Sequence, residues 1–330
     1  MPWNRFSAAV LLSLPLLVGP LIPSVSSAEP LGLASQIGQA TQFIKPEALI
    51  AQLGPHLGVS ADMKFQFVED FDLRTKNGEP VISGRLQTSS QLPTIRVSLR
   101  FPQNFDSNKK YPTVLLLGGT RSALETIARL PSVGENILVT FQYPSINQLE
   151  PLKSLDRDLK TMPAQITSLL MWLNQQEWVD SFRLSAVGVS FGGLVLPVSL
   201  TMAQSLGVHV NSVVFAYTGG ELAHLIAQNS GAGQRERNLI ENGLLLPSLL
   251  VDPVIFLPHL QGRFLLIMSE EDEIFGPLST QAFIRATPEP KEVILIDGEH
   301  ISAHNQELIE QLMGFSFEWL TRVGAVNSPY

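Results

Sequence analysis

The sequence contains no cysteine, and this absence excludes several kinds of chemistry at once. Without cysteine a chain forms no disulfide framework, offers no thiolate nucleophile and builds no cysteine-ligated metal site. The absence says nothing about the cellular compartment, because a chain without thiols is compatible with reducing and oxidising surroundings alike. A nucleophile, if the chain carries one, has to be of another type.

Charged residues are also scarce, at 16% of the 330 residues, and they leave a net charge of −8. The sequence has no cluster of five or more basic residues. A protein that binds nucleic acid has to neutralise phosphates with lysine and arginine, so a negative chain without basic clusters is poorly suited to it. We therefore expect no nucleic-acid partner.

Long hydrophobic runs are missing beyond the N-terminus, and no later stretch reaches the roughly 20 apolar residues of a transmembrane helix. At the N-terminus, Arg5 is the only charge before Glu29, residues 6–18 are apolar, and Ser26 and Ala28 occupy the small-residue positions of a cleavage site. This pattern is typical of a secretory signal peptide, and it predicts cleavage after Ala28.

Two other interpretations of this segment are weaker. Pro15, Pro20 and Pro23 interrupt the apolar run, which is short for a membrane span, so an uncleaved anchor is disfavoured. No cysteine follows the segment, which excludes a lipoprotein. We expect an exported protein, periplasmic or extracellular, with no stable membrane insertion after cleavage.

Short apolar strands alternate with helical segments through most of the chain. This alternation indicates a parallel sheet with helices on both faces, an α/β architecture. The turn-type residues 76–80 separate the first two strands and predict an antiparallel beginning to the sheet. Strands are expected at 64–68, 81–87, 95–101, 111–117, 137–141, 182–189, 213–216, 264–268 and 293–296, and helices at 46–54, 156–177, 194–206 and 306–322.

The expected organisation is a signal peptide over residues 1–28, an N-terminal extension over 29–62 and one α/β domain over 63–330. Residues 218–261 interrupt the rhythm of that domain with an insertion between two strands. Such an insertion forms either a cap over the site or a crossover helix with a surface loop, and the sequence leaves both open. If it is a cap, its apolar part at 244–256 is expected to line an acyl pocket.

The most informative motif is Gly188-Val189-Ser190-Phe191-Gly192. A strand-like run precedes it and a helix-like run follows it, which is the context of a nucleophile elbow. The serine of an elbow lies at the tip of a sharp turn, where side chains at the flanking glycines would collide with their neighbours. Ser190 is therefore the candidate nucleophile.

A serine hydroxyl needs a base to take its proton and an acid to orient that base. His300 and Asp272 each lie four residues past an expected strand, in the order serine, acid, histidine that this type of sheet uses. Both follow carboxyl ends of parallel strands, the edge where such sheets place their sites. We expect Asp272 to be the acid and His300 the base.

Rivals exist for both positions. His304 lies four residues beyond His300 and could serve as the base, although it is nearer to the last helix than to the strand. Asp272 has acidic neighbours that could replace it or form a solvated loop, namely Glu270, Glu271 and Glu273.

An oxyanion hole requires two backbone N–H groups aimed at the developing negative charge. One is expected from Phe191, the residue after the serine, and the other from the turn Gly118-Gly119-Thr120, most simply from Thr120 with Gly119 beside it. The sequence has no Gly-x-Gly-x-x-Gly motif and no P-loop, and its acidic run lacks paired histidines, so no cofactor and no metal are expected.

With these residues in view, the chain resembles the α/β-hydrolase superfamily. Within it, the chain is similar to bacterial esterases of the dienelactone-hydrolase and prolyl-oligopeptidase-like types. The resemblance spans residues 95–322 and is carried by segments 111–119, 179–193, 252–253 with 264–272, and 297–300. It implies an α/β-hydrolase fold with Ser190 as nucleophile, Asp272 as acid and His300 as base.

The function implied is a secreted serine hydrolase that cleaves a small-molecule carboxylic ester through an acyl-enzyme. A prolyl-oligopeptidase-like peptidase is the rival enzyme, but about 80 residues between the signal peptide and the core cannot hold the propeller or other accessory domain that such enzymes usually carry. A non-catalytic binding protein with the same fold is the alternative outside enzymes, since fold alone does not fix function.

Overall fold

The computed structural model describes residues 58–328, except 76, 91, 120–126, 128–129, 131, 144–150, 249–250 and 303. For 151–160 and 244–248 only the backbone is described. The expected signal peptide, the short helix at 46–54 and Thr120 lie outside the described residues.

The described part of the chain forms one sheet of nine strands in the order β1-β2-β3-β5-β4-β6-β7-β8-β9. Strands β1, β2, β3 and β5 pair antiparallel, and the remaining neighbours pair parallel. The antiparallel beginning and the parallel body agree with the sequence-based prediction. The strands are Phe65–Arg74, Pro80–Thr88, Ile95–Arg100, Tyr111–Leu117, Ile137–Gln142, Val179–Val189, Ser212–Ala216, Arg263–Met268 and Lys291–Leu295, β1 to β9 in chain order.

Seven α-helices are described beside this sheet. They are Pro151–Asn174, Phe191–Ser205, Leu222–Gln228, Gln234–Ser248, Pro253–Phe256, Gly276–Ala286 and Gln306–Arg322, called α1 to α7, and a 3₁₀ turn covers Leu257–His259. Helix α6 was not anticipated, because its segment has little apolar periodicity: its buried residues include Ser279 and Thr280.

Helices cover both faces of the sheet, and the strands divide their side chains between them. In β4, Leu115 and Leu117 belong to the apolar cluster shared with α1 and α2, whereas Val114 and Leu116 belong to the cluster shared with α7. This follows from the two-residue period of a strand. Because both faces are buried, a continuous apolar run is favoured over an alternating one.

The 218–261 insertion is a helical hairpin of α3 and α4, followed by α5 and the 3₁₀ turn. Asn229 Nδ2 donates to the carbonyl oxygen of Ile274 at 2.9 Å, which ties the hairpin to the loop after β8. Ile255 and Phe256, at the end of the segment expected to line an acyl pocket, are instead buried in the core. This end of the insertion therefore packs the domain.

A buried ion pair joins the antiparallel strands to the segment after β4. The Arg100 guanidinium binds the Glu79 carboxylate and also donates to the carbonyl oxygens of Ile127 and Leu130 at 2.8 Å. Glu79 in turn accepts the N–H of Val133 at 3.1 Å. Neither charge is left uncompensated, as burial requires.

Candidate active site

Ser190 forms the turn between β6 and α2, at the carboxyl edge of the parallel strands. Its backbone lies at φ 55° and ψ −120°, a conformation that residues with side chains rarely adopt. The Ser190 N–H donates to the carbonyl oxygen of Ala216 at 2.9 Å, which fixes the turn to the end of β7. The hydroxyl therefore projects from a strained and well-supported turn.

The glycines of the turn are required by close packing. A Cβ atom at Gly192 would lie 2.2 Å from the carbonyl oxygen of Leu117 in β4, and one at Gly193 would lie 2.7 Å from the side chain of Thr218. Both distances are shorter than any real contact of a Cβ atom. Helix α2 can thus begin directly against β4 and Thr218 only with glycine at these positions.

Two hydrogen bonds link the three residues singled out from the sequence. Ser190 Oγ lies 2.8 Å from His300 Nε2, and His300 Nδ1 lies 2.7 Å from Asp272 Oδ2. Because a carboxylate can only accept, Nδ1 carries the hydrogen and Nε2 of the neutral ring accepts the Ser190 hydroxyl proton. The structure thus brings together serine, histidine and aspartate in the arrangement that activates a hydroxyl.

Asp272 is oriented by its own loop. Its Oδ1 accepts the N–H groups of Ile274 at 2.9 Å and Phe275 at 3.0 Å, which leaves Oδ2 for the histidine. The carboxylate is buried, with 2% of its side chain exposed. Three donors thus hold this buried carboxylate in place: two backbone N–H groups and the imidazole Nδ1–H.

Aromatic rings shield the imidazole. The Tyr217 ring stands edge-on to His300 at a centroid distance of 6.0 Å, and the Phe275 ring lies at 5.5 Å. Burial raises the pKa of Tyr217, and the negative charge of Asp272 raises it further. Tyr217 therefore stays neutral beside His300 and Asp272.

The rival residues are placed differently. His304 is exposed and is not part of this hydrogen-bonded chain, and Glu271 is exposed as well. Glu273 is exposed but its Oε2 accepts the backbone N–H of His300 at 2.7 Å. Geometry thus selects His300 and Asp272 among the residues that the sequence left in competition.

The expected oxyanion region is described in part. Phe191 is the first residue of α2, so its N–H has no acceptor within the helix. The Gly118 carbonyl oxygen accepts the Tyr143 hydroxyl at 3.0 Å and the Gly192 N–H at 3.2 Å, which fixes the following peptide. Among the residues that the structure describes, none has an atom within 4 Å of a Cβ built at Gly119.

Near the site, Tyr143 and Tyr217 were not singled out from the sequence, and Glu273 was considered only as a rival acid. Tyr143 and Tyr217 directly follow β5 and β7, and residues at the carboxyl ends of parallel strands are the ones that reach a site of this type. That position was an available signal. Glu273 offered none beyond its place in the acidic run, because its bond to His300 depends on how two loops fold.

Among the residues that the structure describes, no group of three or more histidine, cysteine, aspartate or glutamate side chains could hold a metal ion. No helix within the described ranges is long and apolar enough to cross a membrane.

Comparison with solved structures identifies the architecture. Acetyl xylan esterase 1 from Thermoanaerobacterium sp. superposes with a TM-score of 0.57 at 16% identity, over 81% of this chain and 93% of that one. The acetyl xylan esterase from Paenibacillus sp. R4 gives 0.55 at 14% identity, over 90% and 96%. A cold-adapted esterase from an Arctic intertidal metagenomic library gives 0.52 at 12% identity, over 76% and 97%.

At such low identity the likeness is one of fold. No family model matches the chain, and no curated protein matches its sequence. The sheet order, the antiparallel beginning and these neighbours together show that the chain has the α/β-hydrolase fold.

Proposed function

We propose that the protein is a serine hydrolase that cleaves a carboxylic ester through an acyl-enzyme intermediate. The observation that carries the proposal is the pair of hydrogen bonds from Ser190 Oγ to His300 Nε2 and from His300 Nδ1 to Asp272 Oδ2. The two bonds form a chain from Asp272 through His300 to Ser190. This serine is held in a strained turn at the carboxyl edge of the sheet. A merely structural turn has no need of a hydroxyl bonded to a histidine.

In the first half of the proposed reaction, Ser190 Oγ attacks the ester carbonyl carbon while His300 Nε2 takes the hydroxyl proton. The imidazolium that results is stabilised by Asp272, whose carboxylate accepts the Nδ1–H. His300 then gives the Nε2 proton to the departing alkoxide. An alcohol leaves, and the acyl group remains bonded to Ser190.

In the second half, a water molecule replaces the alcohol. His300 Nε2 takes a proton from the water while the water oxygen attacks the acyl carbon. The same nitrogen then gives this proton to Ser190 Oγ as the bond between Oγ and the acyl carbon breaks. A carboxylic acid is released and the serine is regenerated. The negative oxygen in both halves is assigned to the Phe191 N–H and to the turn of Gly119 and Thr120.

An ester rather than an amide is supported by the esterases among the solved structures of this fold. A prolyl endopeptidase structure also shares the fold, with a TM-score of 0.52 at 15% identity, and this chain spans 46% of its length. The substrate proposed is a small-molecule ester, and peptide substrates form the second arm of the test.

The test is hydrolysis of p-nitrophenyl esters of rising acyl length, run beside chromogenic peptides. We expect ester turnover, and we expect Ser190→Ala to abolish it without lowering the thermal unfolding midpoint. Ser302→Ala is the matched control, because Ser302 is an exposed serine two residues past His300. Peptide cleavage without ester cleavage would mean that the protein is a peptidase and not an esterase. Turnover of neither substrate would contradict the proposed hydrolase activity.

We also propose that the protein is exported and that its mature form begins at Glu29. The support is the sequence pattern of residues 1–28. Expression of the full chain in a bacterial host and intact-mass measurement of the periplasmic fraction should give a chain that starts at Glu29. Recovery of a chain with Met1 or residues 2–28 still attached, in the membrane fraction, would contradict cleavage.

A further inference from the structure

Two loops meet at the imidazole, and they are joined by more than the bond between acid and base. The loop after β8 holds Asp272 and Glu273, and the loop after β9 holds Gly298 and His300. Ser269 Oγ donates to the Gly298 carbonyl oxygen at 2.5 Å, and Asp272 accepts from the His300 ring. The third connection is the bond from the His300 backbone N–H to Glu273 Oε2 at 2.7 Å.

The Glu273 contact differs from an ordinary loop hydrogen bond. Its acceptor is a carboxylate, its length is short, and it spans 27 residues of sequence. Hydrogen bonds from a backbone N–H to an ionised carboxylate are about twice as strong as bonds between neutral groups. The contact therefore restrains one loop against the other and does not merely close a local turn.

The bond to Glu273 restrains His300, the residue whose position controls proton transfer from Ser190. Asp272 fixes the ring of His300 through Nδ1, whereas Glu273 fixes the backbone from which the ring extends. The same ring has to keep its Nε2 within 2.8 Å of Ser190 Oγ. Since a shift of about 1 Å in a reacting group can lower a rate about 10²-fold, a loose His300 backbone would weaken proton transfer first.

We propose that Glu273 is a positioning residue for His300, which it holds through the backbone N–H so that the base stays aligned with Ser190. The inference rests on the proposed serine hydrolase function. Asp272 and Glu273 are consecutive, so one turn supplies both carboxylates: one orients the imidazole ring and the other orients its main chain. Glu273 touches neither the ring nitrogen nor the substrate in this role.

Three variants separate the effects on activity of the hydrogen-bond acceptor at Glu273, of its negative charge, and of another acidic side chain in the same loop. Glu273→Ala removes the acceptor, Glu273→Gln keeps an acceptor oxygen without the charge, and Glu271→Ala removes a neighbouring exposed carboxylate. Glu271 is a suitable control because its side chain makes no hydrogen bond or ion pair with any residue that the structure describes.

The measurements are kcat and KM for a p-nitrophenyl ester, the rate of covalent labelling by a fluorophosphonate, and the thermal unfolding midpoint. We expect Glu273→Ala to lower kcat and the labelling rate about 10- to 100-fold with little change in KM or in the midpoint. Glu273→Gln should recover most of both rates. Glu271→Ala should match wild type.

Each outcome bears on one claim. If wild type turns over ester but Glu273→Ala behaves like Glu271→Ala, the positioning role is wrong while the hydrolase stands. If Glu273→Ala loses activity only together with its folded state, and Glu273→Gln does not restore it, the residue is structural and the inference is also wrong. If wild type neither turns over ester nor labels, the proposed function falls, and the positioning role falls with it.

Discussion

At the scale of single residues, the backbone of Ser190 is strained, and hydrogen bonds from its surroundings hold it in that conformation. A serine at φ 55° costs of order 1–3 kcal/mol relative to an ordinary conformation, so it persists only where the surroundings enforce it. Here the Ser190 N–H is bonded to Ala216, and the Ser190 carbonyl oxygen accepts the N–H of Gly193. Tyr217, also at positive φ, follows Ala216 at once. Two strained residues, each just past the end of one of two adjacent strands, thus face the same imidazole.

Replacement of Asp272 by asparagine tests the acid. The amide cannot accept the Nδ1–H and two backbone N–H groups as a carboxylate does, so His300 would favour the wrong tautomer. We expect ester turnover to fall by orders of magnitude, about 10⁴-fold in the serine protease precedent, with the fold intact. Steady-state kinetics and the thermal midpoint measure this.

The control for Asp272→Asn is Glu271→Gln, which should leave turnover within about twofold of wild type, since surface substitutions have small effects. A crippled Glu271→Gln enzyme beside an active Asp272→Asn enzyme would assign the acid to Glu271 and contradict the account.

The triad residues could be proposed from the sequence because each is anchored to a strand. Spacing from β6, β8 and β9 brings Ser190, Asp272 and His300 to one sheet edge, whatever the loops do in detail. Glu273 could not be chosen in this way, since four acidic residues in a row look alike until the loop is folded. The role of Thr120 stays a prediction, because it lies outside the described residues.

At the scale of elements, one carboxylate joins the two ends of the insertion. Asp252 caps two helices: its Oδ2 accepts the N–H of Leu222 at the start of α3 at 2.7 Å, and its Oδ1 accepts the N–H of Val254 in α5 at 3.2 Å. It also accepts the N–H of Glu221 at 3.1 Å. The root of the hairpin is therefore bonded to α5 through this buried side chain.

The protonation of Asp252 makes this root sensitive to pH. Burial raises the pKa of Asp252 from 3.8 to about 6, although its three backbone N–H donors oppose the rise. The native state then binds the proton more tightly than the unfolded state does. The contribution of this group to stability is complete below about pH 4 and is lost as the pH rises through about 6.

The prediction compares wild type with Asp252→Asn, which cannot ionise. Between pH 4 and 7 the free energy of unfolding of wild type should fall relative to that of the variant, by roughly 3 kcal/mol at about 1.4 kcal/mol per pKa unit. Urea unfolding of both proteins at several pH values measures how the difference in their free energies of unfolding changes with pH. Hydrogen bonds that the variant loses at every pH shift this difference by a constant and do not alter its change with pH. A rise of wild type relative to the variant would mean that the N–H donors outweigh burial.

The strands and the long helices were predictable from the sequence, because burial on both faces leaves continuous apolar runs. The helical hairpin was not, since α4 begins with the polar and charged Gln234-Arg235-Glu236-Arg237 and exposes Leu239. A helix with so little apolar periodicity looks like a loop. Its relation to substrate, as cap or bystander, stays a prediction.

At the scale of the whole molecule, one sheet connects every part of the site. The serine, the acid and the base come from the ends of β6, β8 and β9, and the expected oxyanion turn comes from β4. The antiparallel strands are joined to the segment after β4 through the buried Arg100–Glu79 pair. Removing one partner of such a pair typically costs about 3–5 kcal/mol, so the antiparallel side is integral to the domain.

The most direct test of the central claim is covalent labelling by a fluorophosphonate, followed by peptide mass spectrometry. An activated serine reacts with such a probe, whereas ordinary serines do not. We expect one adduct per chain, on Ser190, and none on Ser190→Ala.

Labelling at another serine would contradict the assignment of the nucleophile. A folded protein that stays unlabelled at every pH, by the fluorophosphonate and by a smaller sulfonyl fluoride that a narrow site would admit, would contradict the hydrolase itself and leave a non-catalytic protein of the same fold.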